Sequence, residues 1–122
     1  INPSNPTVLN NYSYYLSLRG VNLEKAKEMS FNSNLLEPNN GTFQDTYAWI
    51  LYKLQQYDEA LSFIELYSSN ATNGYIHELT GDILAKQKKI ELAIAQYELA
   101  SDKYNDETSQ SIISMKIANL GM

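Results

Sequence analysis

Ile90-Glu91-Leu92-Ala93-Ile94-Ala95-Gln96-Tyr97-Glu98-Leu99-Ala100 carries apolar or small side chains at 90, 93, 94, 97 and 100. That spacing returns to one face of a 3.6-residue helix over three turns, whereas a half-buried strand would need alternation with a period of two. The alanine near the start of this stretch has counterparts upstream: Ala60 stands 33 residues before Ala93, and Ala26 stands 34 before Ala60. Ahead of each alanine lies another helical stripe, with Leu9, Tyr12, Ser13 and Leu16 in the first and Tyr47, Ala48, Leu51 and Leu54 in the second. Each leading helix has a small residue at its centre, Ser13, Ala48 and Gly81, spaced 35 and 33 apart. A period near 34 combined with helical patterning is that of a repeated helix–turn–helix unit.

The small residues have a physical purpose. Two antiparallel helices approach closely only where one of them presents little side chain, so Ser13, Ala48 and Gly81 admit the neighbouring helix and Ala26, Ala60 and Ala93 reciprocate. Between the paired helices, Gly20, Gln55-Gln56 and Lys88-Lys89 occupy equivalent turns. Pro38-Asn39-Asn40-Gly41 is a strong stop between units, and Pro3 lies 35 residues before Pro38. Thr42 with Asp45 reads as a capping pair at the head of the second unit, Asp replacing the usual Glu or Gln. Thr108 to Asn119 reads as one further helix, with Ile113, Ile117 and Leu120 in its apolar stripe.

This pattern resembles the tetratricopeptide repeat over nearly the whole chain. The family's small residue, turn aliphatic residue, alanine and closing proline are matched by Ser13, Leu23, Ala26 and Pro38 in the first unit. The second offers Ala48, Tyr57 and Ala60, with Thr72 near the proline's place, and the third Gly81, Ile90, Ala93, Tyr97 and Ala100. The chain departs from the pattern by one extra residue at the first turn, and by Ser33 and Tyr67 where the later alanine stands. The resemblance implies an all-α fold, a solenoid of helical hairpins wound as an α-α superhelix and closed by a C-terminal capping helix. The expected repeats span about 6–40, 41–73 and 74–106, with the cap at about 107–120. Pro3 sits where a preceding repeat would close, so the expectation is the C-terminal part of a longer array. Asn11 to Gly20 and Asp45 to Tyr52 also look like bacterial repeat proteins of the Bacteroidetes type.

Composition narrows the function. The 43% hydrophobic and 19% charged fractions are those of a folded globular chain. No apolar run approaches the roughly 20 residues that span a bilayer. A net charge of −5, with Arg19 the single arginine, argues against nucleic acid, whose binding rests on Lys and Arg displacing counterions. The absence of cysteine excludes disulfides and thiolate chemistry. His77 is the only histidine, and Gly81 stands where a zinc helix would place its second one, so no metal site or nucleophile–histidine pair is expected. No cofactor is expected, and no catalytic residue is identified. Bacterial cytoplasm and cell envelope are both compatible with the sequence.

In this family the first helix of each pair lines the concave groove, which makes a protein or peptide the expected partner. The groove residues expected from that placement are Asn10, Tyr14 and Ser17, then Asp45, Trp49, Tyr52 and Lys53, then Glu78, Asp82 and Lys86. Aromatic side chains beside carboxylates are a common binding-surface composition, and Trp49 is the only tryptophan. The competing reading has Trp49 and Tyr52 packed on neighbouring helices. A clamp of Lys, Arg and Asn for a terminal carboxylate is disfavoured, because acidic and aromatic residues hold most of the positions it would need. An extended peptide with apolar and basic side chains fits better. Two other roles stand beside this one: self-association into a homo-oligomer, and regulation of a larger enzyme encoded upstream.

Overall fold

Asn5 starts the first helix by accepting a hydrogen bond from the Val8 amide at 3.1 Å, and Pro6 follows in the first helical position. In the computed structural model, which describes residues 5–67 and 74–120, seven α-helices and no strand occur among the described residues. They are α1 (Pro6–Arg19), α2 (Leu23–Leu36), α3 (Gly41–Lys53), α4 (Tyr57–Tyr67), α5 (Gly74–Lys86), α6 (Ile90–Lys103) and α7 (Glu107–Leu120). Pro3 and Thr72, read from the sequence as unit closings, lie outside the described residues. No helix among the described residues is long and apolar enough to cross a membrane.

The three turns inside the helix pairs are built alike. Gly20, Gln55 and Lys88 all take left-handed backbone angles, at φ 68, 63 and 65. Each donates its amide three residues back, to Ser17, Tyr52 and Ala85, and the next residue donates five back, to Leu16, Leu51 and Leu84. This arrangement satisfies the carbonyls that a helix end leaves open. The extra residue of the first turn is taken up at Asn22, which also turns left-handed (φ 50) before α2 begins. Asparagine tolerates that conformation better than most side chains.

Between α2 and α3 the capping expectation needs correction. The helix is capped by Asn40, whose Oδ1 accepts from the Phe43 amide at 3.1 Å, and not by Thr42 with Asp45. Asn40 is itself steadied by donating to the Glu37 carboxylate at 3.0 Å. With the cap two residues earlier, Thr42 and Asp45 fall inside the helix, and the Thr42 carbonyl accepts from the Thr46 hydroxyl.

The chain divides into two compact units, α1–α4 and α5–α7. In the first, Leu9, Leu16, Ala26, Met29 and Ile50 form a buried cluster on which Trp49 and Leu54 pack. Serines also enter this core: Ser13, Ser17 and Ser33 are buried, and each hydroxyl donates to the carbonyl three residues earlier. Ala26, Ala48 and Ala60 are wholly buried, as close packing of helix pairs requires.

In the second unit, Ile76, Leu79, Ile83, Leu84, Ala93, Tyr97, Ala100 and Ile113 are buried. Gly81 is required by Tyr97: a Cβ on it would lie 2.6 Å from the tyrosine ring. α7 starts at Asp106, whose carboxylate accepts from the Ser109 amide at 2.9 Å. Hydrogen bonds from the Ser109 side chain and backbone hold that carboxyl below its usual range. Of the stripe expected on α7, Ile113 is buried, while Ile117 and Leu120 are half-buried.

Candidate functional site

Along α1, Asn10, Tyr14 and Ser17 follow one another at i, i+4 and i+7, which puts them on one side of the helix. Their exposure differs sharply. Tyr14 is 43% exposed, whereas Asn10 and Ser17 are buried. Asn10 therefore departs from its expected place on an open surface.

Ser17 fixes the central aromatic residue. The Trp49 indole Nε1 donates to Ser17 Oγ at 2.9 Å, and that hydroxyl donates onward to the Tyr14 carbonyl at 2.6 Å. One edge of the half-buried Trp49 packs on the Leu9–Leu16–Ile50 cluster. The Lys53 ammonium, one turn along α3, lies 5.4 Å from the indole centre, and the Tyr52 ring lies 5.8 Å away. Tyr52 meets Tyr57 of α4 in turn, at 6.0 Å. Trp49 thus takes part in the core and in a partly exposed aromatic surface at once.

Asp45, one turn before Trp49, is half-buried. Burial pushes its carboxyl up to about 6, because the charged form loses hydration without a compensating partner charge.

In the second unit, Glu78 and Asp82 come together one turn apart on α5 and are occupied from two helices. Glu78 accepts from the Tyr104 hydroxyl at 2.7 Å and from the Lys116 ammonium at 2.5 Å. Asp82 accepts from the Tyr97 hydroxyl at 2.6 Å and from Lys116 through both oxygens at 3.1 Å. Burial acts to lower the Lys116 pKa, but its hydrogen bonds to the two carboxylates and their charges outweigh that and hold it above the ordinary lysine value. Burial, and then the hydrogen bond to Glu78, likewise push the Tyr104 hydroxyl up. Lys86 is exposed at the end of α5. His77 shares a 3.0 Å hydrogen bond with Gln96 of α6, a helix-to-helix tie.

Sequence reading did not identify Ser17 as the group that orients Trp49, nor Lys116 as the cation between the acids. Equivalent spacing tells which positions face a neighbouring helix, but not which polar side chain meets which across 32 or 38 residues.

Residues 46–122 match the model of the tetratricopeptide repeat-like domain family. The chain also resembles the solution NMR structure of the first TPR domain of the human RPAP3 protein, with a TM-score of 0.76 and 18% identity over 98% of each chain. At that identity the likeness is one of fold. A comparison with the curated proteins yields no match. Three helix pairs with repeated left-handed turns and one further helix among the described residues, and a family match over more than half the residues, lead to one assignment: the chain belongs to the tetratricopeptide repeat-like family.

Proposed function

We propose that the chain is a non-catalytic binding module that holds a partner polypeptide on the α1–α3 face of its first unit. The fold is one that generally mediates protein–protein interaction. The observation that carries the reading is Trp49: its indole is oriented by Ser17 and backed by the core, yet remains partly exposed. A ring set in place before a partner arrives loses little conformational entropy on binding, and tryptophan is among the residues most enriched at binding hot spots. The partner that fits is an extended peptide offering apolar side chains to Trp49, Tyr14 and Tyr52.

Affinity capture from the source cell tests this, comparing the wild type with Trp49→Ala/Tyr52→Ala after circular dichroism has established that the variant stays folded. Loss of particular captured proteins is the expected result. An identical set from both would remove the face from consideration.

A second reading concerns the outer side of α1, where Val8, Tyr12 and Tyr15 stand exposed. Their counterparts 35 residues on, Phe43, Tyr47 and Ile50, are buried beside α2. We read the α1 stripe as a surface for the second helix of another hairpin, in a second copy or in a longer array whose repeats run at about 6–40, 41–73 and 74–106 with a cap at about 107–120. The resemblance of Asn11–Gly20 and Asp45–Tyr52 to Bacteroidetes-type proteins supports a bacterial origin.

A further inference from the structure

Tyr47 precedes Trp49 by two positions on α3, so the two rings leave that helix on nearly opposite sides. Away from the Trp49 face, Tyr47 meets Phe31 of α2 at 6.1 Å and Phe63 of α4 at 4.8 Å, and Phe63 meets Tyr67 at 4.7 Å. Four rings from three helices run in one connected series along a pocket of about 590 Å³. Successive rings are turned by 51°, 62° and 36°, so the walls meet the pocket at several angles and do not form a flat plate. Phe31 and Tyr67 are about half exposed, large apolar surface that a lone folded unit gains nothing by leaving in water.

The lining contains one charged side chain, Glu59. Lys27 pairs with its Oε1 at 3.3 Å, but half of the Glu59 side chain remains in solvent. Burial first, and then the negative charge of Glu59, hold the Tyr47 hydroxyl above its usual range, which puts the carboxylate's field inside the aromatic pocket. An anion is repelled here by Glu59 and by the negative ring faces. A neutral apolar group would fill the volume without using the carboxylate. A planar cation uses both, because a guanidinium stacks on rings, is weakly hydrated, and can fork onto a carboxylate.

We propose that the α2–α3–α4 pocket of the first unit is a binding site for an arginine side chain of a partner polypeptide, with the guanidinium among Phe31, Tyr47, Phe63 and Tyr67 and directed to Glu59. The site stands apart from the Trp49 face and does not depend on it.

The test is an NMR titration of the chain with N-acetyl-arginine amide and, separately, with the uncharged near-isostere N-acetyl-citrulline amide. Saturable shifts of the Phe63 and Tyr67 ring signals are expected with arginine, about three- to thirtyfold tighter than with citrulline, as a cation–π contribution requires. The Trp49 indole signal should stay in place, and its movement would relocate binding to the other face and overturn the proposal. Glu59→Gln is expected to reduce the preference for arginine to what the rings alone supply, and Tyr67→Ala, at an exposed position, to weaken binding while leaving the fold intact. Equal affinity for the two probes, or no saturable shift with either, would also overturn the assignment.

Discussion

Gly81 shows how much one missing methyl group decides. In a solvent-exposed helix interior, alanine is favoured over glycine by about 1 kcal/mol. Here the added Cβ would meet two Tyr97 ring atoms at 2.6 Å, and the ring cannot swing freely because its hydroxyl is held by Asp82 at 2.6 Å. Overpacking should win: Gly81→Ala is expected to destabilise the chain by about 1–3 kcal/mol, measured by urea unfolding. The same substitution in a Tyr97→Leu background should lose most of its penalty, and an equal penalty in both backgrounds would exonerate the ring. Asp45 makes a second case at this scale. Its carboxyl is raised to about 6 in the folded chain, against an ordinary value of 3.8. Between those two values the folded state binds more protons than the unfolded state, so stability falls as pH rises through that window. Asp45→Asn is expected to flatten that slope and to stabilise the chain at neutral pH by about 1–2 kcal/mol, after allowance for solvent screening of a half-exposed group. Thermal melts of both proteins between about pH 4 and 7 check the sign.

Among the elements, the turns inside the hairpins carry the clearest repeated signature, and only the first uses the residue best suited to it. Gln55 and Lys88 adopt the left-handed conformation that Gly20 adopts without strain. Replacing each by glycine relieves that strain but loosens the unfolded chain, so Gln55→Gly and Lys88→Gly should each stabilise by roughly 0.5–1 kcal/mol, read from denaturant midpoints. Destabilisation by either would mean that the side chain makes a contact worth more than its backbone strain. α7 is held differently: Ile113 is its one buried residue, and Lys116 ties it to α5 through Glu78 and Asp82. Lys116→Met keeps the stem of the side chain but leaves two partly buried carboxylates side by side without their cation. Amide exchange in Glu107–Leu120 is expected to quicken about tenfold, equivalent to roughly 1–2 kcal/mol of local stability, with a smaller change in α6. Most of these elements were legible beforehand, because period, small residues and turn positions are local or strictly repeated properties of the chain. The Asn40 cap was missed because Asn, Gly and Thr in succession all suit a helix start, and the bonds that hold Asn40, from the Phe43 amide and to Glu37, leave no mark on the pattern.

At the scale of the whole molecule, the candidate site was legible as a set of positions but not as a set of exposures. The repeat register put Tyr14, Trp49 and Tyr52 among the candidates, and all three are at least partly exposed, yet it could not show that Asn10 is covered or that Glu78 and Asp82 already hold a lysine. Those outcomes depend on polar side chains meeting across helices, which no periodicity encodes. Charge distribution is easier to read and has a consequence. The chain carries a net charge of −5, and every described helix except α1 contains at least one Asp or Glu. α1 therefore offers a helical face on which two copies can meet without acid facing acid, and that face is apolar at Val8, Tyr12, Tyr15 and Leu18. The corresponding residues of α3 show what such a stripe does when a helix is available, since Phe43, Tyr47 and Ile50 are buried beside α2. Sedimentation velocity over a range of concentrations is expected to show reversible association of the wild type. Tyr12→Glu/Tyr15→Glu should suppress it while changing stability by no more than about 0.5 kcal/mol, because both side chains are exposed. Association that survives the double substitution would locate the contact elsewhere. A wild type that stays monomeric throughout would rule out a second copy as the occupant of the stripe, because a self-associating face of this kind must show itself as a concentration-dependent species.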